Sequence, residues 1–122
     1  MFKNSLFAGK HLISDFSNIK NTDLLNDCDK LKDICRQVCI LNDFTILGEL
    51  SHIFTPEGCS FIFLLSESHL SIHTYPERNH ISFDLYTCRD YQNNDCYNNI
   101  ITILKESLNC EDNSLILDRK FI

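Results

Sequence analysis

The sequence predicts an α+β domain, a two-layer α/β sandwich of one mostly antiparallel sheet with helices on one face. Four strand-like runs follow one another between residues 45 and 88, separated only by short turn-forming groups. Two other segments, one before that block and one after it, repeat their apolar residues at helical spacing. The length adds a third observation: 122 residues suit a single domain, 1–122, and leave little room for another.

Taken in order, Leu6 to Phe16 mixes apolar and polar positions as a strand does, with Gly9 marking a bend or a close approach. Asn18 to Asn26 is polar and reads as a loop with a short turn. A helix follows, capped by Asn26 or Asp27, with Leu31, Ile34, Cys35, Val38 and Leu41 on its apolar side. Strands are expected at Thr45 to Ile53, Cys59 to Ser66, His69 to Tyr75 and Ile81 to Cys88. The groups Thr55-Pro56-Glu57-Gly58 and Pro76-Glu77-Arg78-Asn79 supply turns between them. Asn94 to Leu108 reads as a second helix that buries Ile100, Ile101, Leu104 and Leu108, and Leu115 to Ile122 as a last strand or tail. The uncovered face of such a sheet has to meet something, and a second copy of the chain is the simplest candidate.

Composition narrows the function classes. The chain is 43% apolar and 23% charged, with nine Phe and four Tyr to fill a core. A net charge of −6 without a basic stripe argues against nucleic acid or an anionic membrane as partner. No run approaches the ~20 apolar residues of a membrane span. The opening Met1-Phe2-Lys3-Asn4-Ser5-Leu6-Phe7 lacks the layout of a secretory signal. Seven cysteines, odd in number, scattered and without a C-x-x-C pair, suit free thiols in a reducing, cytoplasmic setting. They make a poor zinc site, and no metal is expected. Cys35 and Cys39, one helical turn apart, are better explained as small buried hydrophobes than as ligands.

The chemistry is concentrated in Ser66-Glu67-Ser68-His69-Leu70-Ser71-Ile72-His73-Thr74-Tyr75-Pro76-Glu77. Strand alternation puts Ser68, Leu70, Ile72 and Thr74 on one face and His69, Ser71 and His73 on the other. The Ser68 face is then at least partly buried, and a buried hydroxyl needs a partner or a task. A half-exposed strand with a solvated polar face is one reading. A serine hydrolase is another, but no G-x-S-x-G elbow is present. A metal site on His69 and His73 fails on distance, since residues four apart on a strand lie about 13 Å apart. The residues alone leave these alternatives open.

The run Glu67-Ser68-His69-Leu70-Ser71-Ile72-His73-Thr74-Tyr75-Pro76-Glu77 resembles the prokaryotic S-adenosylmethionine decarboxylase proenzymes, a pyruvoyl-dependent family. The resemblance extends upstream through Gly48-Glu49, His52, Phe54, Pro56, Gly58 and Ser60, and downstream through Asp84, Thr87 and Cys88. Gly9-Lys10-His11-Leu12 resembles the family's opening strand, so coverage runs roughly from Gly9 to Cys88.

That resemblance implies self-cleavage between Glu67 and Ser68 into chains 1–67 and 68–122, converting Ser68 to a pyruvoyl group. Ser60 and His73 match the residues that assist processing, His73 by proton transfer. The pyruvoyl ketone would form a Schiff base with the amine of S-adenosylmethionine, and Cys88 matches the donor that reprotonates carbon after carbon dioxide leaves. The implied product is the aminopropyl donor for spermidine synthesis. Phe54 and Tyr75 match residues that stack on adenine, and Glu77 one that binds the ribose hydroxyls.

Two positions depart from the family pattern. Tyr75 stands where the family usually has Trp, and Arg89 where it usually has Gly. A cation beside Cys88 would lower the thiol pKa and disfavour a sulfonium substrate. These departures keep a basic amino acid such as ornithine or arginine as an alternative substrate, and an unprocessed, non-catalytic paralogue as an alternative of another class. Strand parity adds one expectation. Ser68 and His73 are five apart, so they face opposite ways about 16 Å from each other. A shared site would then need Ser60 and His73 from the second subunit of a homodimer.

Overall fold

The computed structural model describes residues 6–121. Residues 1–5, on which the reading against a secretory signal rests, and Ile122 lie outside the described residues. Six strands form one antiparallel sheet: β1 (Phe7–Ser17), β2 (Ile46–Ile53), β3 (Cys59–Leu65), β4 (Ser68–Tyr75), β5 (His80–Thr87) and β6 (Glu111–Lys120). Their order across the sheet is β2-β3-β4-β5-β1-β6. Among the described residues the α-helices are α1 (Asp23–Asn26), α2 (Cys28–Leu41) and α3 (Asp95–Leu108). The α+β class and the element order follow the sequence reading.

The differences are local and have local causes. The short turn expected within residues 18–26 is the single helical turn α1, from which Leu24 and Leu25 reach the core. Asp27, rather than Asn26, caps α2, accepting a hydrogen bond from the Lys30 amide at 3.1 Å. Leu41 is exposed, since α2 ends there and the chain turns away. The last strand begins at Glu111, four residues early, where pairing with Ser17 of β1 outweighs weak strand propensity. Pro76–Arg78 form one 3-10 turn, closed by Asn79 in the left-handed region.

Alternation along the strands fixes the two faces. Phe61, Phe63, Leu70, Ile72, Phe83 and Leu85 are buried under the helices. Leu31, Cys35 and Val38 of α2, with Tyr97, Ile100 and Leu104 of α3, complete that core. Ile101, expected inside, is only partly buried at the rim. Among the described residues no helix covers the other face. Leu50 of β2, opposite Ile62 of β3, is 79% exposed, and Ile62 and Leu64 are 46% and 56% exposed.

The core also holds the far end of β5 in place. Thr87, fully buried, shares a 2.7 Å hydrogen bond with the Tyr97 hydroxyl, tying β5 to α3. From the other side, Gly9 of β1 presses against the Thr87 backbone. A Cβ at Gly9 would lie 2.2 Å from the Thr87 carbonyl oxygen, and its φ of +135° suits only glycine. Thr87 in turn pairs with Ser68 across the β4–β5 ladder.

Candidate active site

The singled-out residues fall into two groups at opposite ends of β4. The first surrounds the β3–β4 turn. Leu65 stands opposite Ser68, so Ser66 and Glu67 are a two-residue hairpin loop. Such loops favour type I′ or II′ turns, in which at least the first central residue has positive φ. Neither Ser66 nor Glu67 does so here. The positive φ falls instead on Ser68, at +151°, in a region an L-residue occupies at a cost of about 1–3 kcal/mol. The strained residue begins β4, half-buried, next to the tightly packed Thr87.

Cys88 follows Thr87, and its amide donates to the Glu67 carbonyl oxygen at 2.9 Å. The Glu67 side chain is held as well. One carboxylate oxygen accepts from the Thr45 amide at 3.1 Å, and the other meets the Arg89 guanidinium at 3.0 Å. Burial pushes the Glu67 carboxyl up, but hydrogen bonds from Ser66, Thr45 and Arg89 outweigh it and hold the group below its ordinary range. Arg89 has partners that its place beside Cys88 did not suggest. Its guanidinium is turned to Glu67 and to the backbone carbonyls of Asn42 and Asp43, and it stacks over Phe44.

The second group lies on the open face at the far end of β4. Ser60 and His73 stand opposite each other on β3 and β4, with Ser60 Oγ 2.7 Å from His73 Nδ1. Beside them, Phe54, Tyr75 and Glu77 line one cavity of about 290 Å³ together with Glu57, Ser60, His73 and Thr74. Glu57 was not singled out from sequence; its signal was its place in the Pro56-Glu57-Gly58 turn. The Phe54 ring also packs edge-on against His52, with centroids 4.6 Å apart.

Within one chain these groups do not meet. Ser68 starts the strand on the helix side, whereas His73 is exposed on the open side five residues later. At strand rise that separates them by about 16 Å. Thr74, on the buried side, is satisfied by the Cys59 amide at 2.8 Å. Ser71 is only 8% exposed although it belongs to the open face, so the polar face of β4 is not simply solvated.

The cysteines divide similarly. Cys28, Cys35, Cys39 and Cys59 are buried free thiols, and burial pushes Cys39 up to about 11. Cys35 moves in the same direction, through burial and then its neighbour Cys39. Protonated thiols of that kind are packing groups. Cys88, Cys96 and Cys110 are partly exposed.

A family model described as S-adenosylmethionine decarboxylase matches residues 10–114, a span that takes in both groups. The chain belongs to this family. A Brevibacillus brevis protein named S-adenosylmethionine decarboxylase proenzyme is 42% identical over 80 residues, covering 66% of this chain and 59% of that protein. A Clostridium botulinum protein of the same name is 33% identical over 104 residues, 84% of each chain. The crystal structure of the adenosylmethionine decarboxylase from Aquifex aeolicus superposes with a TM-score of 0.82, covering 97% of this chain and 95% of the other. At 23% identity that likeness speaks for the fold. It agrees with the open-faced antiparallel sheet described above.

Proposed function

We propose that this chain is the precursor of a pyruvoyl-dependent S-adenosylmethionine decarboxylase that cuts itself between Glu67 and Ser68 and works as a homodimer. The carrying observation is the condition of that peptide bond. Ser68 has a strained φ of +151°, and the Glu67 carbonyl oxygen already accepts a hydrogen bond from the Cys88 amide. Strain at the junction is released by cleavage, and it costs the folded precursor about 1–3 kcal/mol until then.

In this reading Ser68 Oγ attacks the Glu67 carbonyl carbon. The C–N bond breaks, the amide nitrogen takes the hydroxyl proton, and an ester joins the two halves. The Cys88 amide is suited to bind the negative charge that develops on the carbonyl oxygen; one such donor is worth about 10²–10³ in rate. Removal of the Ser68 α-proton breaks the Cβ–Oγ bond, expels the main-chain carboxylate of Glu67 and leaves a dehydroalanine that tautomerises to an imine. Water then displaces the nitrogen as ammonia and leaves a ketone at residue 68. Formed there, a pyruvoyl group supplies the electron sink that decarboxylation of an amino acid needs. Cys88, beside it at the end of β5, is the candidate to return a proton to carbon.

The cavity supports the substrate assignment. Phe54 and Tyr75 offer aromatic faces to a flat ring and to a cation, while Glu57 and Glu77 are acceptors for hydroxyls. At about 290 Å³ the cavity lies at the small end of the range for small-molecule pockets. A second copy docked on the open face would enlarge and close it, and a two-fold relation between the copies would set its His73–Ser60 end of β4 against the end where Ser68 begins the strand. The exposed Leu50, Ile62 and Leu64 suit such a contact. The case for a basic amino acid as substrate rested on Tyr75 and Arg89, and of these Arg89 is ion-paired to Glu67.

The test is the denatured intact mass of freshly purified protein, followed by carbon dioxide release from carboxyl-labelled substrates. Fragments 1–67 and 68–122, the second with a blocked start, and release from S-adenosylmethionine but not from ornithine or arginine are expected. A single uncut chain after long incubation of folded dimer would overturn the reading.

A further inference from the structure

We infer that Arg89 is a positioning residue for self-cleavage, locking Glu67 so that its carbonyl carbon stays in place for Ser68; this rests on the self-cleavage reading above. Glu67 is gripped at both ends by consecutive residues. The Cys88 amide holds its carbonyl oxygen at 2.9 Å, and the Arg89 guanidinium holds its carboxylate at 3.0 Å.

The guanidinium is itself fixed. Nη1 donates to the Asn42 carbonyl at 2.6 Å and to the Tyr91 hydroxyl at 3.3 Å. Nη2 donates to the Asp43 carbonyl, and the group lies 5.0 Å from the centroid of the buried Phe44 ring. A planar cation with several donors is the side chain that can meet two carbonyls, a phenol and a carboxylate at once. The α2–β2 loop thus acts as an anvil, and Arg89 is the strap that ties the cleavage turn to it. The same loop supplies the Thr45 amide for the second Glu67 oxygen, and the Thr45 carbonyl accepts the Ser66 amide at 2.9 Å.

The need for such a strap follows from the turn. Ser66-Glu67 has none of the Gly or Asn that stabilises a two-residue hairpin loop, and its strain sits on Ser68. Without an outside hold the turn can relax, which moves the carbonyl away from the attacking hydroxyl. A displacement of about 1 Å costs on the order of 100-fold in such a reaction.

The experiment follows cleavage over time by denatured intact mass, in wild type, Arg89→Ala, Arg89→Lys and Glu67→Gln, with circular dichroism to score folding. Arg89→Ala is expected to slow cleavage about 10- to 100-fold. Arg89→Lys should recover part of the rate, and millimolar guanidinium should speed Arg89→Ala but not wild type. Arg89→Ala combined with Glu67→Gln should be no slower than the worse single variant, since both remove one contact. Arg36→Ala, which breaks a surface ion pair with Glu49, serves as the control and should cleave normally. If Arg89→Ala fails to fold, Arg89→Lys and Glu67→Gln carry the decision. Folded variants cutting at the wild-type rate would overturn the role of Arg89 alone. A wild-type chain that never cuts would overturn self-cleavage, and the role of Arg89 with it.

Discussion

Coexpression of a Ser68→Ala chain with a His73→Ala chain tests the separation of the two residue groups directly. Ser68 and His73 are five residues apart on β4 and lie on opposite sides of the sheet, about 16 Å from each other. Proton transfer needs hydrogen-bond distance, so His73 cannot reach the junction of its own chain without unravelling the strand. In a two-fold dimer, each site would combine Ser68 of one chain with His73 of the other. A mixed dimer of the two variants then holds one complete site, on the chain that keeps Ser68, and one site lacking both residues.

With random mixing of equal amounts, about half of the His73→Ala chains should be cut and none of the Ser68→Ala chains. His73→Ala alone should cut about 10²–10⁴ times more slowly than wild type, the usual worth of a positioned acid or base. The assay is differential tagging of the two chains, isolation of the mixed dimer, and denatured intact mass over time. Mixed dimers that leave the Ser68-bearing chain uncut would refute the arrangement. So would His73→Ala dimers that cut at the wild-type rate.

Two stability predictions follow from the surroundings of the turn. Gly9→Ala should destabilise by about 2–6 kcal/mol, combining the cost of an L-residue at φ +135° with a Cβ 2.2 Å from the Thr87 carbonyl oxygen. Gly48→Ala, with no atom within 4 Å of the added Cβ, should be nearly neutral, and equal urea midpoints for the two variants would contradict the packing described here. Acid should also weaken the fold. The Glu67 carboxyl lies below its ordinary 4.5, where hydrogen bonds outweigh burial, and Asp112 lies below 3.8 through Ser114 and Lys105. A depressed folded pKa contributes stability that is complete above the unfolded value and lost as pH falls through the folded one. Urea midpoints should be level on this account above about pH 5 and decline below pH 4.5, less steeply in Glu67→Gln; a parallel decline in that variant would refute the Glu67 contribution.

How much of this was legible in the sequence can be seen at particular residues. The β3–β5 block was legible because alternation along Cys59–Leu65 and the turn groups around it are local signals. A short turn was legible within Asn18–Asn26, but not that it is helical, because its two leucines sit in a polar stretch and gain order only from the core. The Ser60–His73 pair was nameable from the motif, and strand parity alone separated His73 from Ser68. The partners of Arg89 were not legible, because a chain neighbour of Cys88 reads as acting on Cys88. The side chain points instead to an acid twenty-two positions away in sequence.

By itself, the sequence determined the class of fold, the strand faces and the concentration of serine, histidine and glutamate around Glu67–Ser68. Those follow from periodicity and from short-range patterns, in which each residue constrains only its near neighbours. Only the tertiary structure decided that Cys88 and Arg89 grip the two ends of Glu67, that Gly9 wedges Thr87, and that Phe54, Tyr75 and Glu77 share a cavity. These are contacts between distant stretches of chain. They depend on strand order and register, which are set by packing the whole core at once rather than by any local run of residues.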